Sequence, residues 1–392
     1  MDNSTRPTKI DHACAGHGPS RHGARLLLVA MTLVLGLLGQ AVLPAQAAGR
    51  DAASLVTARG ESLAPLNAIA CPDSSHCWAV GQGVILATDD GGQLWTRQTV
   101  AATIDVAAVT FVDLLHGWAA GSGICAADGT FCGGVILSTV DAGTTWRSQD
   151  ITQTSGLTGI ACVDVGHCWA AGTSCDAMLC AGEVVATSDG GASWSLQSIS
   201  PGRHLQSISF ADGTHGWAGG DEDGAAFTLA TGDGGRTWSR QTAPATAGVT
   251  SITCLDAGHC RAVGGGVLLA TDDGGGTWQA QIVSGLGLHL NALACLDAGH
   301  CWLVGGFSHG AAGVTQGATV YTGDSGQNFE SQDPGDGPLS LTGIACVDAN
   351  RCWTVGASAL PGSHAGSGSG AILATDDGGQ TWRSQASEPS EP

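Results

Sequence analysis

Seven aspartates recur along the chain at intervals of 40 to 53 residues, each within the string Thr-x-Asp-x-Gly-x-x-Trp or a close variant of it. They are Asp90, Asp141, Asp189, Asp233, Asp273, Asp324 and Asp377. Carboxylates at a fixed spacing could ligate calcium or act as general acids and bases. A catalytic group is not needed seven times, whereas a turn that recurs in every repeat unit needs its hydrogen-bonded cap each time. The pattern therefore predicts a structural carboxylate at a hairpin turn, where it accepts backbone N–H groups of the Gly-Gly turn.

Cysteines recur in pairs with five residues between them. The pairs are Cys71/Cys77, Cys162/Cys168, Cys254/Cys260, Cys295/Cys301 and Cys346/Cys352. In the two remaining units both cysteines are absent together, and Phe111/Gly117 and Phe210/Gly216 take their places. Facing residues of paired strands lie ~5.5 Å apart, within reach of a disulfide. We therefore expect five hairpin disulfides. Pairing of Cys125 with Cys132 and of Cys175 with Cys180 would bring the total to seven.

A histidine precedes the second cysteine position in six units, and two cysteines with a histidine would suit zinc. The six are His76, His116, His167, His215, His259 and His300. His116 and His215 remain where both cysteines are absent, so the histidine is not tied to the cysteines as a ligand. We expect these histidines to be turn residues with an apolar contact, and we expect neither a metal nor another cofactor.

A second repeated string precedes each of the seven aspartate strings, as in LNAIACPDSSHCWAVG at 66–81. Each unit contains four short apolar segments, and periods of 40–50 residues are typical of propeller blades. The sequence predicts an all-β fold, a seven-bladed β-propeller of four-stranded antiparallel blades whose strands we call a to d in chain order. The expected blades are 66–98, 106–149, 157–197, 205–241, 249–281, 290–332 and 341–385.

Two aromatic positions recur in every unit, one in strand b and one at the end of the aspartate string. The twelve tryptophans of the chain fill twelve of these fourteen positions. Arg261 and Phe329 fill the other two. We expect the tryptophans to cover the turns and to pack between blades.

The N-terminal residues have the anatomy of a secretory signal peptide. Basic residues precede an apolar run at Leu26–Leu38, and small residues follow at Ala45–Ala48. We expect residues 1–48 to be removed, with an uncleaved anchor as the alternative; only the anchor would bring membrane contact. Residues 49–65 are then a linker and 386–392 a flexible tail. The expected location is secreted or cell-envelope, which also suits the cysteine content.

The charge balance excludes one class of partner. Lys and Arg number 14, Asp and Glu 34, and the net charge is −20. Without residues 1–48 the chain holds 10 basic and 32 acidic residues, a net charge of −22. Such a surface repels a polyanion, so we expect no nucleic-acid partner. We expect a monomer.

The aspartate string resembles the Asp-box, S/T-x-D-x-G-x-T-W, of the bacterial neuraminidase repeat. The blade length, the seven copies and the xxWAVG string resemble the photosystem II stability and assembly factor branch of that group, over residues 66–385. The resemblance implies a propeller that docks a protein or peptide, on one face of the ring or in its central channel, rather than an enzyme. In photosynthetic members that role depends on a basic, Arg-rich patch. This acidic chain lacks the patch, which favours an envelope or extracellular binding role.

The alternative function is a glycoside hydrolase on the same propeller, because Asp-boxes also occur in sialidases and xyloglucan hydrolases. Sialidases use an Arg triad and a Tyr/Glu nucleophile pair. Tyr321 is the one tyrosine, and we expect it to be buried in strand c of blade six. Among the arginines only Arg203 is expected beside the variable loops. A two-carboxylate hydrolase stays open, although Glu is scarce. We favour a non-catalytic module that binds a protein, peptide or glycan.

Binding is expected on one face of the ring. Because the strands alternate in direction, the a–b and c–d turns share one face, which we call the box face. The b–c and d–a connections share the other, the loop face, where nearly all length variation falls and where binding usually resides. The candidate residues there are Arg203, His204, Asp221, Glu222, Asp223 and His289. Exposed loop residues without a ligand are the competing interpretation.

Overall fold

A computed structural model of the chain describes residues 63–101, 103–124, 131–175, 180–197, 204–244, 247–283, 287–309, 314–335, 339–358 and 368–385. These residues form 28 strands and no helix. Seven four-stranded antiparallel sheets result, each in the order a-b-c-d. The fold is therefore the predicted seven-bladed propeller. The predicted signal peptide and tail, and most of the linker, lie outside the described residues. Within the described residues no helix is long and apolar enough to cross a membrane.

Strands β1 to β16 form blades one to four. They are β1 (Leu66–Ala70), β2 (Cys77–Gly81), β3 (Val84–Thr88) and β4 (Thr96–Gln98); β5 (Ile104–Phe111), β6 (Gly117–Ile124), β7 (Phe131–Thr139) and β8 (Arg147–Ile151); β9 (Gly156–Cys162), β10 (Cys168–Cys175), β11 (Cys180–Thr187) and β12 (Ser195–Gln197); β13 (His204–Phe210), β14 (Gly216–Glu222), β15 (Ala225–Thr231) and β16 (Ser239–Gln241).

Strands β17 to β28 form blades five to seven. They are β17 (Ser251–Cys254), β18 (Cys260–Gly264), β19 (Val267–Thr271) and β20 (Gln279–Ile282); β21 (Leu288–Cys295), β22 (Cys301–His309), β23 (Val314–Thr322) and β24 (Glu330–Gln332); β25 (Leu339–Cys346), β26 (Cys352–Ser358), β27 (Ser369–Thr375) and β28 (Arg383–Ser384).

The position of each strand in the ring follows from its burial and its neighbours. The a strands of successive blades contact one another from β1 through to β25, and β25 contacts β1 again, so they surround the axis. Strands b and c are almost wholly buried in blade one, whereas the d strands are mainly exposed. The apolar b and c segments are therefore central in each sheet, and the polar d segments form the rim.

The hydrophobic core is divided among the seven seams between neighbouring blades. One cluster joins blade seven to blade one through Trp353 and Trp95, and another joins blade one to blade two through Trp78 and Trp146. In each such seam the strand-b tryptophan of one blade meets the Asp-box of the next. Two layers of alternating side chains thus interlock at every seam, as the aromatic positions predict.

Hydrogen bonds from the strand-b tryptophans fasten six of the seven seams. In each, the indole Nε1 donates to a backbone carbonyl in the Asp-box turn of the next blade, at 2.9–3.3 Å. The pairs are Trp78–Ala142, Trp118–Gly190, Trp169–Gly234, Trp217–Gly274, Trp302–Gly378 and Trp353–Gly91. The last pair closes the ring between blades seven and one.

Five of the predicted hairpin disulfides are present, with Cα–Cα distances of 4.1–4.2 Å. Cys125 and the side chains of Cys132 and Cys175 lie outside what the structure describes, so Cys125–Cys132 and Cys175–Cys180 stay predictions. Several disulfides in one chain indicate folding in an oxidising compartment.

In blades two and four a Phe and a Gly stand where the other hairpins have their disulfide, and they are held by a different contact. The Phe111 ring lies where a Cβ on Gly117 would be, so no larger residue fits opposite it. The same ring stacks on Trp78 of the preceding blade, with centroids 3.7 Å apart. Phe210 stacks on Trp169 in the same way, also at 3.7 Å. An aromatic contact between blades thus replaces a covalent link within one blade.

Candidate functional site

The structure places the two kinds of connection on the faces that the alternating strand direction predicts. The Gly91 N–H in the c–d turn donates to the Ser75 carbonyl in the a–b turn, at 2.9 Å. The Gly83 N–H in the b–c turn donates to the Ile104 carbonyl at the start of the next blade, at 2.8 Å. The box face and the loop face are therefore opposite ends of the ring.

The Asp-box turns are closed by a repeated set of internal hydrogen bonds. In blade three Asp189 Oδ1 accepts from the Thr187 hydroxyl at 2.7 Å and from the Ser193 N–H at 2.9 Å. Asp189 Oδ2 accepts from the Ser193 hydroxyl at 2.6 Å. The Gly191 N–H donates to Thr187 Oγ1 at 2.9 Å. Both carboxylate oxygens are therefore occupied within the turn.

This arrangement corrects the sequence-based interpretation in one detail. We expected the Asp to accept the N–H groups of the Gly-Gly turn, but the Gly N–H goes to the Thr hydroxyl. Gly190 and Gly191 have φ of 74° and 89°, which turns the Gly191 N–H back towards the buried Thr187. The carboxylate then reaches across the turn to residue 193. The other six Asp-boxes share the Thr–Asp and Gly–Thr bonds.

The hydrogen bonds also set the protonation of these carboxyl groups. Bonds from the Ser193 hydroxyl and N–H lower the pKa of Asp189 to about 2. Bonds from the Thr237 N–H and hydroxyl do the same for Asp233, whose pKa is also about 2. A carboxylate held ionised with its lone pairs occupied is suited to capping a turn and unsuited to donating a proton.

The a–b turns carry a second repeated pair that sequence reasoning missed. His76 Nδ1 lies 3.0 Å from both carboxylate oxygens of Asp73, and Asp73 Oδ1 also accepts the N–H groups of Ser75 and His76. The same Asp–His pair recurs at Asp113–His116, Asp164–His167, Asp212–His215, Asp256–His259 and Asp297–His300. Arg351 pairs with Asp348 in blade seven.

The histidines are therefore turn residues, as expected, and each has a carboxylate partner that the sequence reasoning did not name. The signal was present in the sequence as Asp-x-x-His in six of the a–b turns, with Asp-x-x-Arg in the seventh. Within the described residues no three His, Cys, Asp or Glu side chains converge in a way that could hold a metal ion. The box face is thus a ring of satisfied acidic turns.

On the loop face, the structure brings together the candidate residues of blade four. His204 and Asp221 face each other at the ends of strands β13 and β14. Asp221 accepts from Gln206 Nε2 at 3.1 Å, and Glu222 pairs with Arg240 Nη1 at 2.6 Å. Asp223 and Gly224 form the tight b–c turn, both with positive φ. Asp221 and Glu222 therefore already have partners within the blade.

The remaining loop-face candidates are not joined to that group. His289 is exposed and belongs to strand β21 of blade six, with blade five between it and blade four. Arg203 lies outside the described residues. The structure thus gathers His204, Asp221, Glu222 and Asp223 at one rim of blade four and leaves His289 apart.

Two further carboxyl groups have raised pKa values, and neither was a candidate from the sequence. Burial raises the pKa of Asp105, against an opposing hydrogen bond from Asn67 Nδ2 at 3.1 Å. Burial also raises the pKa of Glu183, whose Oε2 atom has no partner. They lie in different sheets, on β5 and β11. No periodicity marks either residue, because each occurs in one blade only.

The single tyrosine, Tyr321, lies at the box-face end of blade six, away from the loop face. Tyr321 precedes the Asp-box Thr322 and is partly buried against Trp302, with ring centroids 4.8 Å apart. Burial and the nearby carboxylate of Glu330 raise the pKa of Tyr321. Its hydroxyl is therefore poorly placed and poorly activated to serve as a nucleophile on the loop face.

Comparison with known proteins gives one family and several structures. The family model described as photosynthesis system II assembly factor YCF48 matches residues 138–335. The solved structure of YCF48 bound to D1 peptide superposes with a TM-score of 0.55 at 18% identity, over 75% of this chain and 91% of that one. No curated protein matches the chain.

Two other solved structures share the architecture. YCF48 from Cyanidioschyzon merolae has a TM-score of 0.51 at 17% identity, over 74% of this chain and 88% of that one. The WD40 propeller domain of Doa1 has a TM-score of 0.55 at 12% identity, over 78% of this chain and 92% of that one. At such identities the structural likeness establishes the fold alone.

Proposed function

Because the chain belongs to the photosynthesis system II assembly factor YCF48 family, we propose that it is an exported, non-catalytic propeller that binds a peptide segment of a partner protein on its loop face. The observation that carries this proposal is family membership, since YCF48 in a solved structure is bound to a D1 peptide. The disulfides support export to an extracytoplasmic compartment, secreted or within the cell envelope.

The distribution of satisfied groups supports the choice of face. On the box face the carboxylates of all seven Asp-boxes are committed to internal hydrogen bonds, and so are the a–b turn aspartates. The b–c connections differ in length from blade to blade, which allows a surface specific to one partner. The blade four rim, where His204 and the b–c turn at Asp223 are exposed, is our candidate for contact with the peptide.

Charge decides which peptide fits. The sequence beyond residue 48 carries a net charge of −22 and no lysine. An acidic peptide would be repelled, whereas a basic or neutral peptide would approach faster and bind with complementary charge. The partner segment is therefore basic or neutral. A basic, Arg-rich binding patch would instead select an acidic peptide.

The test is a peptide array of basic, neutral and acidic sequences probed with residues 49–392, followed by titration of the best peptides. The loop-face variant E222Q/D223N removes two negative charges from the blade four rim. The box-face variant D89N/D376N removes two exposed carboxylates from the opposite end and serves as the matched control.

We expect basic peptides to bind, E222Q/D223N to weaken them, and D89N/D376N to leave affinity unchanged. If only the box-face variant changes the affinity, the peptide binds on the box face and our choice of the loop face is wrong. Turnover of aryl sialosides or xyloglucan above a boiled control would replace the binding role with a hydrolase.

A further inference from the structure

The box-face turns of blade two carry three exposed apolar side chains. Leu114 and Leu115 lie in the a–b turn and are 41% and 52% exposed, and Val140 in the c–d turn is 68% exposed. A single exposed apolar residue is ordinary on a protein surface, whereas a contiguous group marks an interaction site. We call these three residues the blade-two patch.

The two turns of blade two lie side by side, which makes the patch contiguous. The Ala142 N–H donates to the Leu115 carbonyl at 3.1 Å and so joins the c–d turn to the a–b turn. In blade three the same bond ends on the Gly166 carbonyl, and a Cβ on Gly166 would lie 3.7 Å from the Ser188 carbonyl oxygen. Leu115 and Val140 occupy the positions of Gly166 and Ser188 in the repeat, so the Leu115 side chain begins beside the Val140 backbone.

No other blade has three large apolar residues at these positions. The corresponding residues are Ser, Ser and Asp in blade one, Val, Gly and Ser in blade three, Gly, Thr and Gly in blade four, Ala, Gly and Asp in blade five, Ala, Gly and Gly in blade six, and Ala, Asn and Asp in blade seven. Six copies of the turn pair thus fold with mostly small or polar residues. The fold itself does not require Leu, Leu and Val in blade two, which points to contact with another molecule.

Two ionised carboxylates border the blade-two patch within its own turns. They are Asp113, next to Leu114 in the chain, and Asp141, next to Val140. Hydrogen bonds from backbone N–H groups lower the pKa of both carboxyl groups, so both stay ionised at neutral pH. Arg147 is the one arginine of blade two, which has no lysine, and it lies in the rim strand β8. The patch is therefore an apolar surface with a negative border.

The charge and the size of the patch decide what can cover it. A second copy of the chain would bring the same ionised carboxylates against these, and an anionic membrane would be repelled as well. A stable protein–protein interface buries about 800 Å² on each partner, far more than three partly exposed side chains present. A short segment with a complementary border needs only an anchor of this size.

We propose that the blade-two patch binds a short segment of a partner protein in which apolar side chains are flanked by Lys or Arg. The apolar side chains of the segment cover the patch, and its basic groups lie against Asp113 and Asp141. The site is on the box face, at the opposite end of the ring from the peptide contact proposed above, and it does not depend on that contact. With both sites occupied, one propeller holds two partner segments together.

The test is an array of peptides that flank two or three apolar residues with Lys or Arg, probed with residues 49–392. Each peptide has two altered versions, one with Ser in place of the apolar residues and one with Glu in place of the basic residues. The best peptides are then titrated by fluorescence anisotropy.

The variant L114S/L115S/V140S removes the patch. Serine already stands at these positions as Ser74 and Ser75 in blade one and as Ser188 in blade three, so the turns can accommodate it. The matched control L196S/I282S removes two other exposed apolar residues, 47% and 80% exposed, from the rim strands of blades three and five. Melting curves report whether each variant remains folded.

We expect the unaltered peptides to bind, and the Ser and Glu versions to bind about tenfold more weakly or worse, because covering one exposed leucine is worth about that factor. L114S/L115S/V140S should lose affinity by at least the same factor while it melts as the unchanged protein does. L196S/I282S and the loop-face variant E222Q/D223N should keep the affinity.

The proposal is overturned if no such peptide binds, if the Ser versions bind equally well, or if L114S/L115S/V140S retains the affinity. Equal weakening by L196S/I282S would also overturn it, because the contact would then be unspecific. Weakening by E222Q/D223N alone would place these peptides on the loop face, which supports the proposed function and overturns this site.

Discussion

Trp353 Nε1 donates a hydrogen bond to the carbonyl of Gly91, 262 residues earlier in the chain, at 3.1 Å. Each described sheet is built from four consecutive strands, so no sheet spans the join between blades seven and one. Side chains therefore supply most of the closure, beside one backbone bond from the Gly370 N–H of blade seven to the Leu63 carbonyl ahead of blade one, at 2.8 Å. Thr342 Oγ1 contributes a second side-chain bond, to the Leu66 carbonyl at 2.7 Å, and an apolar cluster around Trp95 and Trp353 packs across the same join.

Replacing Trp353 with Phe should loosen that closure. The ring volume is largely kept, but the Gly91 carbonyl loses its donor, so we expect the free energy of unfolding to fall by about 1–3 kcal/mol. Trp217→Phe removes the same bond, to Gly274, inside the ring. Hydrogen exchange followed by peptide mapping should show faster exchange in blades one and seven for W353F alone. Identical exchange maps for the two variants would contradict closure at this seam.

Thr187→Val tests the Asp-box turn without removing a charge. The Thr187 hydroxyl is buried, donates to Asp189 and accepts the Gly191 N–H. Valine keeps the shape and leaves that N–H unpaired, so we expect a loss of about 1–3 kcal/mol in urea unfolding. Thr152→Val on the exposed connection after strand β8 is the control and should change stability little. A T187V protein as stable as T152V would show that the turn does not need this hydroxyl.

The lowered pKa values predict sensitivity to acid. Asp189, Asp233, Asp273 and Asp377 each have a folded-state pKa of about 2, below the unfolded value of about 3.9. Their stabilising contribution is complete above the unfolded pKa and is lost as pH falls through the folded pKa. Urea unfolding should therefore show stability falling steeply between about pH 4 and about pH 2. D189N should make stability fall less steeply with pH over this range. An unchanged slope of stability against pH would show that Asp189 does not contribute to the acid sensitivity.

Blades two and four suggest a disulfide-free version of the a–b hairpin. In C254F/C260G we expect the new Phe to stack on Trp217, which belongs to the same cluster as Cys254 and Cys260, as Phe111 stacks on Trp78. The control C254A/C260A should lose about 2 kcal/mol, the chain-entropy value for a loop of this length. Melting curves should rank C254F/C260G above the control. The reverse order would mean that the Phe–Gly pair depends on features of blades two and four that blade five lacks.

The sequence by itself determined the number of blades, the four strands of each and the turns that join them. These features are local: the Thr, Asp and Gly of an Asp-box lie within five residues, and Cys162 and Cys168 are six apart. Because each unit repeats the same spacing, seven copies of one pattern reinforce a single interpretation. The Asp–His pair of the a–b turns was equally local and could have been predicted from its fixed spacing.

Only the tertiary structure decided which residues meet across a seam. Arg261 and Phe329 are 68 positions apart in the numbering, and each alone reads as an isolated exception to the repeat. They fall at the same seam because strand b of a blade packs against the Asp-box of the blade that follows it. That neighbour is fixed by how the whole sheets stack around the axis, and the buried Arg261 with its unpaired Nε–H depends on it. Local patterns fix hydrogen bonds within a blade, whereas contacts between blades depend on the closed ring.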